Sequence, residues 1–229
     1  MFEPLIFPSR DALMEAAGAL LAEALTQGVT IRGRACAALS GGTTPGPAYT
    51  KLAERDMNWR RVSFALVDER FVAPSEEASN ESMLRRTLAP AFAAGASLVP
   101  LYSPDLSLEA AALAAETRYA PLHLDIALLG MGGDGHVASW FHGARGYEHA
   151  IDPASKSSVA ALHAPQAYGT PERLSLTFAK VAQADHVLLL LLGDEKRARF
   201  EAALTRAPEE APVAALKRLS RAPEIFWAA

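Results

Sequence analysis

Short runs of apolar residues recur along the chain, and they set its architecture. Ala35 to Leu39, Val62 to Val67, Ile126 to Leu129 and His186 to Leu192 are compact runs bounded by turn residues. Runs of this length read as buried strands of a parallel sheet. Between them apolar residues fall at helical spacing. Leu13, Ala17, Leu20, Leu21, Ala24 and Leu25 follow Ser9, which can cap a helix, so the pattern predicts a helix to about Gln27 with Gly28 as its end. Helices are also expected over 45–55, over 80–88 with Ser79 as cap, over 107–119 with Ser107 as cap, from Gly193 to about Leu204, and over 212–219. Shorter strands are expected at 5–7, 98–101, 159–162 and 225–228. The later part of 170–177 alternates apolar and polar, the pattern of a half-buried strand. Residues 73–79 and 143–158 are expected to be irregular, and the alanine-rich 89–96 follows neither period. Strands alternating with helices predict an α/β fold: one domain over 1–229, with a mostly parallel, Rossmann-like sheet flanked by helices and room for a small lid or subdomain.

Composition narrows the class without changing the fold. Half of the 229 residues are hydrophobic and 21% are charged, as in a globular protein with a substantial core. A net charge of −4 with dispersed Lys and Arg predicts no nucleic-acid partner. Val187 to Leu192 is too short to span a bilayer, and the N-terminus has no basic stretch followed by an apolar one. A soluble, cytoplasmic protein without a membrane partner is expected. Cys36 sits alone in an apolar run and is expected to be buried.

The chemistry concentrates where strands end. After Ile126–Leu129 come Gly130, Gly132, Gly133 and Gly135, with Asp134 and His136 among them. So many glycines imply unusual φ angles or close backbone approach. Gly130, Gly132 and Gly135 do spell G-x-G-x-x-G, but that fingerprint belongs in the first βα unit with an acidic residue about 20 positions on, and neither condition holds. A structural turn with Asp134 capping a following helix is the bland alternative. An imidazole and a carboxylate at the carboxyl end of a buried strand favour catalysis.

Other strand ends add to the set. Ala35–Leu39 leads into Ser40-Gly41-Gly42-Thr43-Thr44-Pro45-Gly46 and then a helix, the outline of a phosphate cradle. It is no P-loop, because the Gly-Lys-[Ser/Thr] ending is absent. Val62–Val67 ends in Asp68-Glu69-Arg70, and Arg70 has the fork that suits phosphate or carboxylate. Arg173 opens the 172–177 strand. Lys196 follows His186–Leu192 in the first turn of a helix, the unfavourable end of the dipole for a cation, which suggests an anionic partner. A zinc site needs three convergent ligands, and His136, His142 and His149 are six and seven apart, so no metal is expected. There is no G-x-S-x-G elbow.

The segments SGGTTP, VDERFV with Ser79-Asn80, LLGMGGDGHVASWF, PERLSLT and LLGDEK, in this order, closely resemble those of the 6-phosphogluconolactonase family, over about residues 5 to 228. That family shares one α/β sugar-phosphate superfamily with glucosamine-6-phosphate deaminase. Two departures are visible: Val137 stands where the family usually has Thr, and Trp140-Phe141-His142 where it has Leu-Phe-Pro. The resemblance implies hydrolysis of a phosphorylated sugar lactone, with no cofactor and no metal. It implies His136 as base, helped by Asp134, with the substrate and its phosphate held among Ser40, Gly41, Gly42, Thr43, Thr44, Asp68, Arg70, Asn80, Gly132, Gly133, Arg173 and Lys196. It leaves monomer or homodimer open. The deaminase resemblance would call for a glutamate five residues after the histidine, where this chain has Phe141. A sugar-phosphate sensor without catalysis is the alternative from another class, and it would have no use for the Asp134–His136 pair.

Overall fold

The computed structural model describes residues 2–229. The first half of the chain runs β1 (Leu5–Ile6), α1 (Arg10–Arg32), β2 (Ala35–Leu39), α2 (Gly46–Ala53), β3 (Val62–Leu66), β4 (Asp68–Arg70), α3 (Asn80–Thr87), α4 (Ala89–Ala93), β5 (Ser97–Val99) and α5 (Leu108–Tyr119). The second half runs β6 (Ile126–Gly130), α6 (Tyr147–Ile151), β7 (Val159–His163), β8 (Glu172–Leu176), α7 (Phe178–Val181), β9 (His186–Leu192), α8 (Asp194–Ala203) and β10 (Glu224–Ala228). Pro212–Arg218, expected as an α-helix, is a 3-10 turn.

Seven strands form one sheet in the order β1-β10-β9-β6-β2-β3-β5, and every neighbouring pair is parallel. The fully apolar β2 and the apolar centres of β6 and β9 fill its buried middle, which is why they read as continuous runs. From β2 the chain proceeds outward through β3 to β5; from β6 it proceeds the other way to β9 and β10. The strand order therefore reverses between β2 and β6, and a crevice opens beyond their carboxyl ends. A second, antiparallel sheet, β4-β8-β7, stands against that edge and is the small subdomain-like addition.

Helix α1 does not stop at Gly28 but continues to Arg32, with Gly33 as its left-handed C-cap at φ 72°. Gly28 serves inside the helix as a packing glycine: its backbone presses on Asp125 and Ala35, and a Cβ would collide with the Asp125 carboxylate. Asp125 accepts the Cys36 amide at 2.7 Å and pairs with Arg32, so the last turn of α1 is pinned to the start of β2. Cys36 is buried, as expected. Strand β8 was expected to be half-buried, yet Arg173 to Leu176 are all buried. The chain after the glycine loop covers it: Trp140 donates its indole N–H to the Leu176 carbonyl at 2.8 Å, and the Ser139 amide donates to Ser175 Oγ at 3.3 Å. Irregular structure over 143–158 is interrupted by α6, and the unassigned 89–96 contains α4.

Strand β4 alternates its three charged residues, as a strand must. Glu69 is fully buried beneath the start of α3, where one carboxylate receives four hydrogen bonds: the Asn80, Glu81 and Arg70 amides at 2.7, 2.8 and 2.8 Å, and Ser79 Oγ at 3.0 Å. These satisfy amides that a helix start leaves without partners. Burial pushes the Glu69 carboxyl up from 4.5 to about 7, against the pull of those bonds.

Replacing Glu69 with Ala strands those donors, and urea unfolding at pH 6 is expected to show a loss of about 3 kcal/mol. The raised pKa also has a sign. The folded chain holds a proton that the unfolded chain has released, so this contribution is complete below the unfolded value and is lost as pH rises through the folded one. Urea midpoints of the wild type therefore fall more steeply from pH 4.5 to about 7 than those of Glu69→Gln.

Candidate active site

Loops after β2, β3, β6 and β9 converge on a cleft of about 240 Å³ at the reversal point. From the first loop, Ser40, Gly41, Gly42, Thr43 and Thr44 all line it. None of the Gly41 to Thr44 amides donates to a backbone carbonyl among the described residues. Ser40 is buried, and its hydroxyl has no partner there. Tyr49 from α2 fixes this loop by donating to the Ser40 carbonyl at 2.7 Å. Gly41 admits no side chain, because the Asn80 carboxamide occupies the space of its Cβ. Asn80 in turn donates to the Asp68 carbonyl at 2.8 Å. The Glu69 anchor beneath α3 thus positions Asn80, and Asn80 braces the cradle.

While Glu69 points away, its neighbours Asp68 and Arg70 face the cleft. Arg70 donates to the Ala78 carbonyl at 2.6 Å. Asp68 is nearly buried and accepts Ser139 Oγ at 2.6 Å. Ser139 lies three residues beyond His136, so this bond ties the glycine loop to β4. Sequence reasoning missed Ser139; its place in the DGHVAS segment was the available signal.

The glycine loop closes on itself. Met131 bridges Val137, the Gly132 amide donates to the His136 carbonyl at 2.9 Å, and the Gly135 amide donates to the Gly132 carbonyl at 3.0 Å. Gly135 takes φ 90°. A Cβ on Gly132 would strike the His136 ring and approach Asp134 Oδ1, so this position must be glycine. No helix follows directly; the next begins at Tyr147, and Asp134 caps none. Its Oδ1 instead meets His136 Nδ1 at 2.5 Å and accepts the His136 amide at 3.3 Å. Burial alone would raise the Asp134 carboxyl, but hydrogen bonding and charge from His136 outweigh it and hold the carboxyl below its usual range. His136 and Gly132 line the cleft, whereas Asp134 and Gly133 stand behind the imidazole and outside the lining. Phe141 packs on the His136 ring with centroids 4.1 Å apart.

The two remaining cations part company. Lys196, in the first turn of α8, lines the cleft, and no carboxylate pairs with it among the described residues. Burial lowers its pKa. Arg173 does not reach the cleft wall. It pairs with Arg70 across β4 and β8, but it is covered by neighbouring side chains such as Phe141 and is only 3% exposed, with Nη2 donating to the Tyr168 carbonyl at 2.6 Å. Among the expected phosphate residues, Arg173 is the one charged group that is absent from the cleft lining.

Metal-ligating side chains do not converge at the cleft among the described residues. His142 packs edge-on against Tyr147, away from His136. His123, Asp125 and Asp185 do approach one another at the opposite end of the sheet, but Arg32 already pairs with both carboxylates. No helix among the described residues is long and apolar enough to cross a membrane.

Known proteins resemble this chain over nearly its whole length. The chain is 38% identical to a 6-phosphogluconolactonase of Mesorhizobium japonicum over 97% of this chain and 93% of that protein. It is equally identical to one from Rhizobium meliloti, over 97% of each. A solved 6-phosphogluconolactonase from Shewanella baltica superposes with a TM-score of 0.91 at 28% identity, covering 99% of this chain and 98% of that one. Residues 8–227 match the family described as glucosamine-6-phosphate isomerases/6-phosphogluconolactonase, and the chain belongs to that family.

Proposed function

We propose that the protein hydrolyses 6-phospho-D-glucono-1,5-lactone to 6-phospho-D-gluconate, the lactone-opening step of the oxidative pentose phosphate pathway. The observation that carries this reading is the contact of His136 Nδ1 with Asp134 Oδ1. A carboxylate at Nδ1 calls for the proton on that nitrogen, which leaves the Nε2 lone pair free to act as a base. A δ-lactone is an activated acyl group, so water and one general base suffice. His136 takes a proton from water as the oxygen attacks C1, and returns it to the departing ring oxygen O5. Asp134 lies against the imidazolium that forms between the two steps and holds the ring in place.

Phosphate fits the opposite side of the cleft. The amides of Gly41 to Thr44, the unpartnered Ser40 hydroxyl, and Lys196 form a donor set without an acceptor. Arg70 adds a second charge, and Asn80 and Asp68 supply a donor and an acceptor for the sugar hydroxyls. Fixing the remote phosphate orients the lactone carbonyl relative to His136. The Gly132 amide is already committed to the His136 carbonyl, which removes it as an oxyanion donor. Work on a phosphorylated metabolite goes with a cytoplasmic location.

Deamination of glucosamine 6-phosphate is less well supported. The position five residues after His136, where that chemistry calls for a second carboxylate, holds Phe141, whose ring lies on the imidazole.

The deciding assay follows the lactone generated in situ from glucose 6-phosphate, with EDTA present. Acceleration over spontaneous hydrolysis is the expected result. Its absence, together with ammonia release from glucosamine 6-phosphate, would overturn the reading. His136→Ala is expected to lower kcat by about 100-fold or more with inhibition by inorganic phosphate intact. Lys196→Ala is expected to do the reverse, raising KM and the phosphate inhibition constant by about tenfold while kcat changes little.

A further inference from the structure

We propose that Arg173 is a positioning residue for His136, acting through the ring of Phe141, and not a ligand of the substrate phosphate. The inference rests on the lactonase reading of the cleft and adds to it a part that the chemistry alone does not require.

The imidazole is confined from three directions. Asp134 takes Nδ1, the backbone of Gly132 lies against Cε1 and Nδ1 with no space for a Cβ, and Phe141 covers a ring face at a 34° tilt. Of these, Phe141 is the one side chain with no hydrogen bond to hold it. Its ring is buried, and the Arg173 guanidinium carbon stands 5.9 Å from its centroid. Imidazole, benzyl ring and guanidinium therefore make a stack running from the cleft into the interior.

Arg173 is expensive to keep in that place. Its Nε is buried without a partner among the described residues, and its one hydrogen bond goes to the Tyr168 carbonyl. Burial and the like charge of Arg70 lower its pKa, against the attraction of Asp68, Glu69 and Glu172. If filling volume were the whole task, a Leu or Met would do it at lower cost, because a buried charge needs excellent pairing to break even. A guanidinium against a ring face gives something that methionine does not: an attraction that fixes the orientation of the ring. With Phe141 held, the imidazole cannot rotate about its Cβ–Cγ bond, and Nδ1 stays on Asp134 while Nε2 stays toward the cleft. Small angular errors at a general base have large effects on rate.

The test compares Arg173→Met, Arg173→Lys and Phe141→Leu with the wild type. Arg173→Met is expected to lower kcat about tenfold to 100-fold while the inhibition constant for inorganic phosphate stays within about twofold. Long-range ¹H–¹⁵N NMR of the His136 ring, with no substrate present, is expected to show one tautomer protonated at Nδ1 in the wild type and a mixture in Arg173→Met. Phe141→Leu is expected to reproduce both effects, with the double variant no worse than either single one. Arg173→Lys, which keeps the buried cation, is expected to retain more kcat than Arg173→Met. Should Arg173→Met fail to fold, Arg173→Lys and Phe141→Leu carry the comparison. A tenfold weaker phosphate inhibition with unchanged kcat would make Arg173 a phosphate ligand and overturn the proposal. So would a wild-type tautomer and wild-type kcat in the variants that fold. If the wild type itself shows no lactonase activity, the functional reading fails, and the NMR comparison still decides whether Arg173 positions His136.

Discussion

Everything at the cleft depends on the pairing of β6 between β2 and β9. Leu128 sits opposite Leu39 on one side and Leu188 on the other, and β6 and β9 run on past that level to Gly130 and Leu192, so the three ends step across the sheet in a fixed stagger. Their loops can then meet without long connections. The apolar content of β2, β6 and β9 is thus more than core filling, because it fixes the level at which the phosphate cradle, the glycine loop and the Lys196 turn emerge. A slip of β6 by one residue would turn its side chains to the other face and lift His136 out of line with Ser40–Thr44.

The second sheet does a different job. β4 continues directly from β3 but pairs with β8, and its two-residue period sends Asp68 and Arg70 to the cleft and Glu69 to the core. One strand of three residues thereby supplies two polar groups to the site and the anchor for α3, which delivers Asn80. The same pairing sets Arg173 beside Arg70 while the chain following His136 covers it. Charged residues that look equivalent in sequence are separated into lining and support by which face of a short strand they occupy.

Much of this was legible in the sequence. The buried strands announced themselves as apolar runs, the caps Ser9, Ser79 and Ser107 stand where expected, and the glycine loop holds Asp134 and His136 together. What stayed hidden depends on partners distant in the chain. Gly28 is a glycine because of Asp125, 97 residues later, and not because the helix ends there, which no local propensity encodes. Ser175 looked exposed by alternation, but Ser139 and Trp140 close over its strand. The depth of Arg173 was hidden too, since its burial on β8 follows from a cover that local pattern does not reveal. Glu69 was read as one of three charges at a strand end; its alternation became readable only once β4 was known to be a strand of its own.

The missing Cβ at Gly132 has an evolutionary corollary. Exchanging a loop glycine for alanine is a common way to make a chain more heat-resistant, because it removes freedom from the unfolded state. Here that route is closed, since the methyl group would occupy the space of the imidazole. Gly135, at φ 90°, closes it a second time on the same turn. The floppiness of this segment in the unfolded chain is therefore inseparable from the placement of its histidine, and lineages adapting to high temperature must find their gains in other parts of the molecule.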